Sequence, residues 1–315
     1  MAEAQRMVHQ GCVYGSEEEF LATALPFIEN GLASGEPVLA ATTRANIALL
    51  RDALGPRSDL LSCVESISFG FRPPERLIAL DHYWREQVSL TDSRWIRVLA
   101  EPIWEGRSKR EIAAWTYMES SFTVLFAHTN LWMVCPYDSR LMPHQIIADS
   151  MRTHPELVQG EQVRASHAYV HPTAFIQQRM ASPGPSLPAD PMGGRFTAAD
   201  LVSVRDQAKS YAHRLSLPRS RALDLVFAVN EIASNVVLHS SGTGSVWFWT
   251  EEEELICEVT DDAHRSNALN PFAGRPPALN ERGRGLWLVR QLCDRVHIGS
   301  VEGRTVVRIH LRIHD

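Results

Sequence analysis

Between Pro172 and Arg195 the chain reads PTAFIQQRMASPGPSLPADPMGGR, a stretch rich in proline, glycine and serine. Proline removes a backbone donor and glycine carries a high entropy cost of ordering, so such a stretch resists both a helix and a central strand. It reads as a linker. A chain interrupted in this way is not expected to build one continuous core. Two domains are expected, residues 1–171 and 196–315, joined by residues 172–195. The length of 315 residues agrees, at about 100–200 residues per domain.

With 44% hydrophobic and 22% charged residues, each part can bury a core. No run of about 18 apolar residues occurs, and no apolar run follows Arg6, so neither a membrane span nor a secretory leader is expected. The formal net charge of −6 argues against direct nucleic-acid binding and leaves room for a protein partner with a basic face. The five cysteines are widely spaced and form no CxxC pair. They indicate neither a disulfide framework nor a zinc knuckle, and a reducing cytoplasm is the expected location. The only lysines are Lys109 and Lys209, so no GxxxxGK[ST] phosphate loop can be written.

The first part alternates strand and helix signals. Strands are expected at Pro37–Thr43, Cys63–Phe69, Trp95–Ala100 and Leu131–Cys135. Helices are expected at Arg44–Leu54, Pro74–Val88, Arg110–Ala127 and Pro143–Arg152. This order implies a parallel sheet with helices on its faces. The second part differs. Two amphipathic helices, Ala198–Ser216 and Arg221–Leu238, precede a hairpin of Ser245–Thr250 and Leu255–Thr260. A Gly-rich element, Gly283–Asp294, opens a third helix, and Arg295–Gly299 with Thr305–Leu311 form a second hairpin. Helices on one face of a mostly antiparallel sheet make an α/β sandwich.

Chemistry concentrates in the second part. Along Arg221–Leu238 the apolar residues follow 3.6 spacing, while Glu231 and Asn235, four apart, share the other side and His239 extends their stripe. By itself this stripe reads as a solvated face. Asp261 and Asp262 end a strand, where an acid accepts a hydrogen bond from a base amino group or simply forms a turn. Gly283-Arg284-Gly285-Leu286 precedes an apolar helix, where backbone can approach phosphates closely. In this order and spacing the three features resemble the GHKL (Bergerat-fold) ATP-binding superfamily, and within it the RsbW-type anti-sigma serine kinases. The resemblance covers about Phe196–Arg312, with Glu231–His239 matching the first box, Gly283–Val289 the glycine box, and Gly303-Arg304-Thr305 a late strand turn.

That resemblance implies roles. Asn235 would coordinate Mg²⁺ at the phosphates of ATP, and Glu231 would be the general base toward a serine hydroxyl. Asp261 would read adenine, Gly283 and Gly285 would admit the phosphates, and Thr305 would support the adenine side. The implied partners are a sigma factor and a STAS-domain anti-anti-sigma factor, and the implied assembly is a homodimer. The sequence departs from the family at Asp261-Asp262-Ala263, where the family has D-x-G. The missing glycine restricts the backbone under adenine. A regulator that binds nucleotide or partners without kinase activity therefore stays open, as does Asp262 in place of Asp261. The lid would span Ala263–Arg282.

In the first part, Thr42-Thr43, Glu101-Pro102 and Cys135–Asp138 fall at strand carboxyl ends, where open parallel sheets bind ligands. Glu119 and His154 could join them, giving Glu101, Glu119, Cys135, Asp138 and His154 as candidates for a small-molecule pocket. Core filling by Cys135, a turn at Asp138 and a helix end at His154 are the plain alternatives. The segments His9–Tyr14, Phe27–Leu32 with Gly35–Leu39, Arg97–Pro102, Cys135–Asp138 and Thr153–Pro155 resemble the MEDS sensory domain over about Val8–His171. That resemblance implies a RecA-like three-layer parallel-sheet domain that senses a small molecule. An enzyme using Cys135, Glu101 and His154 is the remaining alternative. The expected whole is this domain followed by a Bergerat-fold α/β sandwich.

Overall fold

The computed structural model describes residues 7–172, 174–175, 187–240, 242–264, 286, 289, 292–301 and 303–313. The chain divides into two compact units, Met1–Gln177 and Gln178–Asp315. Among the described residues the strands form two sheets, one in each unit.

The first unit runs β1 (Val8–Tyr14), α1 (Glu17–Ala33), β2 (Val38–Thr42), α2 (Arg44–Leu54), β3 (Ser62–Glu65), α3 (Pro73–Leu90), β4 (Ile96–Ala100), α4 (Lys109–Leu125), β5 (Leu131–Asp138), α5 (His144–Thr153), β6 (Glu156–Gln159) and β7 (Gln162–Ala165). The sheet order is β3-β2-β4-β5-β1-β6-β7. All pairs are parallel except the closing β6–β7 hairpin. Every residue of β2 and β4 is buried, the pattern of parallel strands covered on both faces. One face packs Phe20, Phe27, Ile28 and Leu50 of α1 and α2 against Val38, Ala40, Leu99 and Val134. The other packs Leu80, Trp115, Phe122 and Ile146 of α3, α4 and α5 against Val98, Met133, Cys135 and Tyr137.

Strands β1, β6 and β7 and helix α1 add to the elements expected from sequence, and β3 ends at Glu65 rather than Phe69. Helix α1 was hidden by Pro26 in its interior, yet Phe20, Ala24, Phe27, Ile28 and Gly31 lie buried at helical spacing, and Ser16 caps its start. Strand β4 carries Arg97 into the core. It bonds to Glu36 at 2.6 Å and to the Phe27 carbonyl at 2.8 Å, and lies 4.4 Å from the Trp132 ring centroid. Gly31 makes room for it, since a Cβ there would stand 2.7 Å from Arg97 Cδ.

The second unit runs β8 (Met192–Thr197), α6 (Leu201–Arg214), α7 (Arg219–His239), β9 (Thr243–Glu251), β10 (Glu254–His264), β11 (Arg295–Val301) and β12 (Arg304–Arg312). The sheet order β11-β12-β10-β9-β8 is antiparallel throughout. Helices α6 and α7 cover one face, with Val204, Tyr211, Leu225, Val229, Ile232 and Ala233 against Phe248, Cys257, Val259, Val307 and Ile309. Met192–Arg195, read from composition as the end of the linker, are instead the start of an edge strand. Gly193 carries a φ of +145°, and a Cβ there would meet the Val246 carbonyl at 2.0 Å. Gly193, one of the glycines that suggested a linker, thus allows β8 to lie close against β9. Of the expected third helix, Leu286, Val289 and Leu292 are helical, and Val289 is buried in the core.

Candidate functional site

In the second unit, α7 is long because its apolar stripe lies over the sheet. The buried set Val229, Ile232, Ala233 and Val236 leaves Glu231 and Asn235 half-buried beside it. Among the described residues neither side chain has a hydrogen-bond or ion-pair partner. On β10, Leu255, Cys257 and Val259 point to the helices, and alternation carries Asp261 to the same side. Asp261 is buried and accepts a hydrogen bond from Ser240 at the end of α7. Asp262 takes the other side and pairs with exposed Arg195 at 2.5 Å. The β10–β12 ladder is regular to Thr260↔Val306 and shifts register before His264↔Arg304. Buried Thr305 stands opposite this irregularity, on the helix side with Val307 and Ile309. An amide oxygen, two carboxylates and a hydroxyl thus lie around the end of α7 and the adjoining strand ends. These are hard oxygen donors of the kind that suits Mg²⁺. Gly283, Gly285 and the lid residues from 265 onward lie outside the described residues.

The first unit holds two separate polar groups. At the carboxyl ends of β1, β2 and β4, Glu101 is buried and fully engaged. Tyr14 donates to it at 2.7 Å, Asn46 at 2.9 Å, and Thr42 also donates. Its backbone carbonyl accepts from Ser66. Burial, then Glu101, pushes the Tyr14 phenol up.

The second group lies on the α3–α5 face. His9, Cys135 and His154 are buried, and each can offer a donor atom such that all three lie within 4.8 Å of one another. His9 Nε2 is 3.6 Å from Cys135 Sγ. Burial, and then His154, holds His9 well below the ordinary imidazole range, while burial lowers His154 to about 4 against the opposing pull of the Ser150 carbonyl. Burial also raises the Cys135 thiol. Glu119 stands nearby, raised to about 7 by burial, which outweighs Tyr137 and Arg76. Arg76 is itself buried. It donates to the Ser66 carbonyl at 2.8 Å and lies 5.3 Å from the Trp115 ring, and burial lowers it to about 10. Asp138 adjoins the first group, its charge acting on Tyr14. It binds Arg140, whose guanidinium holds it below the usual carboxylate range.

The family described as "MEDS: MEthanogen/methylotroph, DcmR Sensory domain" matches residues 8–155, and the family described as "Histidine kinase-like ATPase domain" matches residues 195–311. The chain joins a MEDS domain to a histidine kinase-like ATPase domain. A sensory domain coupled to a kinase-like ATPase domain is a regulatory arrangement. The ATPase family implies ATP with a divalent cation, and the oxygen donors of Glu231, Asn235 and Asp261 fit that pair. No curated protein matches the chain significantly.

Two solved structures share part of its shape. The RsbU and RsbW domains of Rv1364c from Mycobacterium tuberculosis are 18% identical, with a TM-score of 0.28, over 40% of this chain and 32% of that one. The chain therefore spans about a third of that structure. The SiaB–SiaC complex from Pseudomonas aeruginosa is 12% identical, with a TM-score of 0.30, over 39% of this chain and 89% of that one. No helix among the described residues is long and apolar enough to cross a membrane.

Of the residues expected in the MEDS domain's pocket, Cys135 and His154 come together and Glu119 adjoins them, while Glu101 and Asp138 are held elsewhere. The expected candidates thus fall into different groups rather than one pocket. The carboxylate is tied up by three donors, and the group beside the thiol is His9. Sequence reasoning passed over His9, Arg76 and Tyr137. The signal for His9 was strand parity, because His9, Gly11 and Val13 share one face of β1. Arg76 follows Pro73-Pro74-Glu75 in a first helical turn and carried no signal of burial.

Proposed function

We propose that this chain is a partner-switching transcription regulator. The observation that carries the reading is the pair Glu231 and Asn235, half-buried and without partners among the described residues, one turn apart on α7, with buried Asp261 on the helix side of the sheet. MgATP would supply the phosphoryl group. Asn235 would hold the cation through its amide oxygen, Asp261 would accept from the adenine amino group, and Thr305 would support that side. Glu231 would take the proton of a serine hydroxyl on a STAS anti-anti-sigma partner, as a positioned carboxylate can. A sigma factor would compete with the STAS protein for the same domain. A small-molecule signal at the MEDS domain would bias the choice, which requires different affinities for the two states. The reading includes a homodimer.

A regulator that binds nucleotide or partners without phosphoryl transfer is the second reading. Its motivation is Ala263 where the family has glycine, within a strand that continues to His264. Thermal unfolding with and without MgATP tests the first requirement. Ligand at 100 times its Kd should add about 2.7 kcal/mol, and Asn235→Ala should lose the shift. Transfer of labelled phosphate to a STAS serine, lost in Glu231→Ala, would establish the kinase. A thermal shift without transfer would favour the second reading, and no shift at all would sink the nucleotide site.

A further inference from the structure

We propose that His9, Cys135 and His154 bind one transition-metal ion of zinc-like softness in the interior of the MEDS domain. Strands β1 and β5 are parallel neighbours, with His9 opposite Met133 and Gly11 opposite Cys135. Alternation puts His9, Gly11, Met133 and Cys135 on one face. His154 follows α5 and lies over Gly11, where a Cβ would stand 3.1 Å from its Cγ. The lack of a side chain at residue 11 is what admits the second imidazole.

The distances suit a metal. A tetrahedral ion with nitrogen at ~2.05 Å and sulfur at ~2.3 Å has an N–S edge of about 3.6 Å. His9 Nε2 and Cys135 Sγ are 3.6 Å apart. The tautomers suit it too. His154 Nδ1 lies 2.7 Å from the Ser150 carbonyl, which can only accept, so Nδ1 carries the hydrogen and Nε2 a lone pair. That Nε2 is buried with no hydrogen-bond partner. His9 Nδ1 lies 3.5 Å from the Thr123 hydroxyl, leaving its Nε2 toward Cys135. A metal-ligating imidazole is usually held in this way, by a bond at its far nitrogen. A buried imidazole kept only for packing would be expected to satisfy both nitrogens.

One sulfur and two imidazoles select zinc, copper(I) or cobalt over magnesium or calcium. Binding exchanges the Cys135 S–H bond for an S–metal bond and releases one proton to solvent. Three protein donors leave a tetrahedral ion one open position. A small Lewis base is then the class of signal the site receives, a step that rests on the MEDS domain being the sensor.

The test uses the full-length protein, stripped by chelation and titrated with Co(II) in the absence of nucleotide, both as the folded chain and during refolding. One equivalent should bind with a thiolate-to-cobalt charge-transfer band that one equivalent of Zn(II) displaces. The band should vanish in Cys135→Ser and persist in Cys63→Ser. Affinity should fall at least about tenfold in His9→Gln and His154→Gln, with circular dichroism confirming their fold. No band in the wild type under either protocol, or a band surviving Cys135→Ser, would overturn the site. Azide should perturb the cobalt d–d spectrum. If it does not, the metal site stands and the Lewis-base receiver falls. Because no nucleotide is present, a failure of the kinase reading leaves this result unaffected.

Discussion

The two sheets bury their polar residues on different terms. On the face of the antiparallel sheet away from the helices, Glu258 accepts from Arg308 at 2.9 and 2.5 Å, and Glu254 pairs with Arg295 and His310. Arg308 also lies over the Trp249 ring. On the α3–α5 face of the parallel sheet, burial favours the uncharged forms of His9, Cys135 and His154, and raises Glu119 to about 7. His154 Nε2 there has no partner. The first arrangement pairs each acid with a base and reads as structural. The second leaves His154 Nε2 to the proposed metal ion. Leaving a buried polar atom unsatisfied costs about 1–3 kcal/mol, a cost that a ligand can offset.

The comparison breaks most visibly at its paired end. Arg308→Ala should leave Glu258 buried without its cation and cost about 3–5 kcal/mol, read by denaturant unfolding. Replacing both partners, as Arg308→Met with Glu258→Leu, should recover most of that loss. If the single substitution cost less than about 1 kcal/mol, the network would not be the structural element described here.

The pH responses of one buried group on each sheet have opposite signs, because Glu119 is an acid and His310 a base. Glu119 is raised from 4.5 to about 7, so between these values the folded chain keeps a proton that the unfolded chain releases. Stability from this group is full below about 4.5 and falls as pH rises toward 7. Glu119→Gln should remove that dependence, gaining roughly 3 kcal/mol on the wild type across the window. His310 is lowered from 6.5 to about 4, chiefly by burial and against the pull of Glu254. Its contribution is full above about 6.5 and is lost as pH falls toward 4. His310→Gln should remove an acid-side loss of roughly 3 kcal/mol. Calorimetry of each variant against wild type at pH 4.5, 6 and 7.5 reads both differences, and slopes of the same sign would refute the contrast. The smallest effect is steric. Gly11→Ala presses a methyl against the His154 ring and should cost about 1–3 kcal/mol, with a cost below about 0.5 kcal/mol counting against the close approach.

Much of this fold was legible because burial on both faces leaves a continuous apolar run. Strands β2, β4 and β5 were visible for that reason, and the hairpins of the second unit through their alternation. Two elements hid behind residues with a double meaning. Pro26 sits inside α1, where the packing of Phe20, Phe27 and Ile28 outweighs its local cost. Gly193 sits at the start of β8, because close approach to β9 needs the same residue that a flexible linker uses. Spacing put Glu231 and Asn235 on one helix face and Asp261 at a strand end, and the resemblance to the ATP-binding superfamily is what singled out these residues and Thr305. Residues on one helix face and at strand ends keep their relation wherever the helix packs.

The chain by itself determined its two-part division, its parallel and antiparallel halves, and the helix face that carries Glu231 and Asn235. All of these follow from local composition and periodicity. Only the tertiary structure decided which distant side chains meet. Seating β1 between β5 and β6 brings His9 to Cys135 across 126 residues, while the ends of β1, β2 and β4 take Glu101 away to Tyr14, Thr42 and Asn46. Periodicity sets which face a side chain occupies. Strand order sets its neighbours, and that order is chosen by the packing of the whole sheet rather than by any one segment.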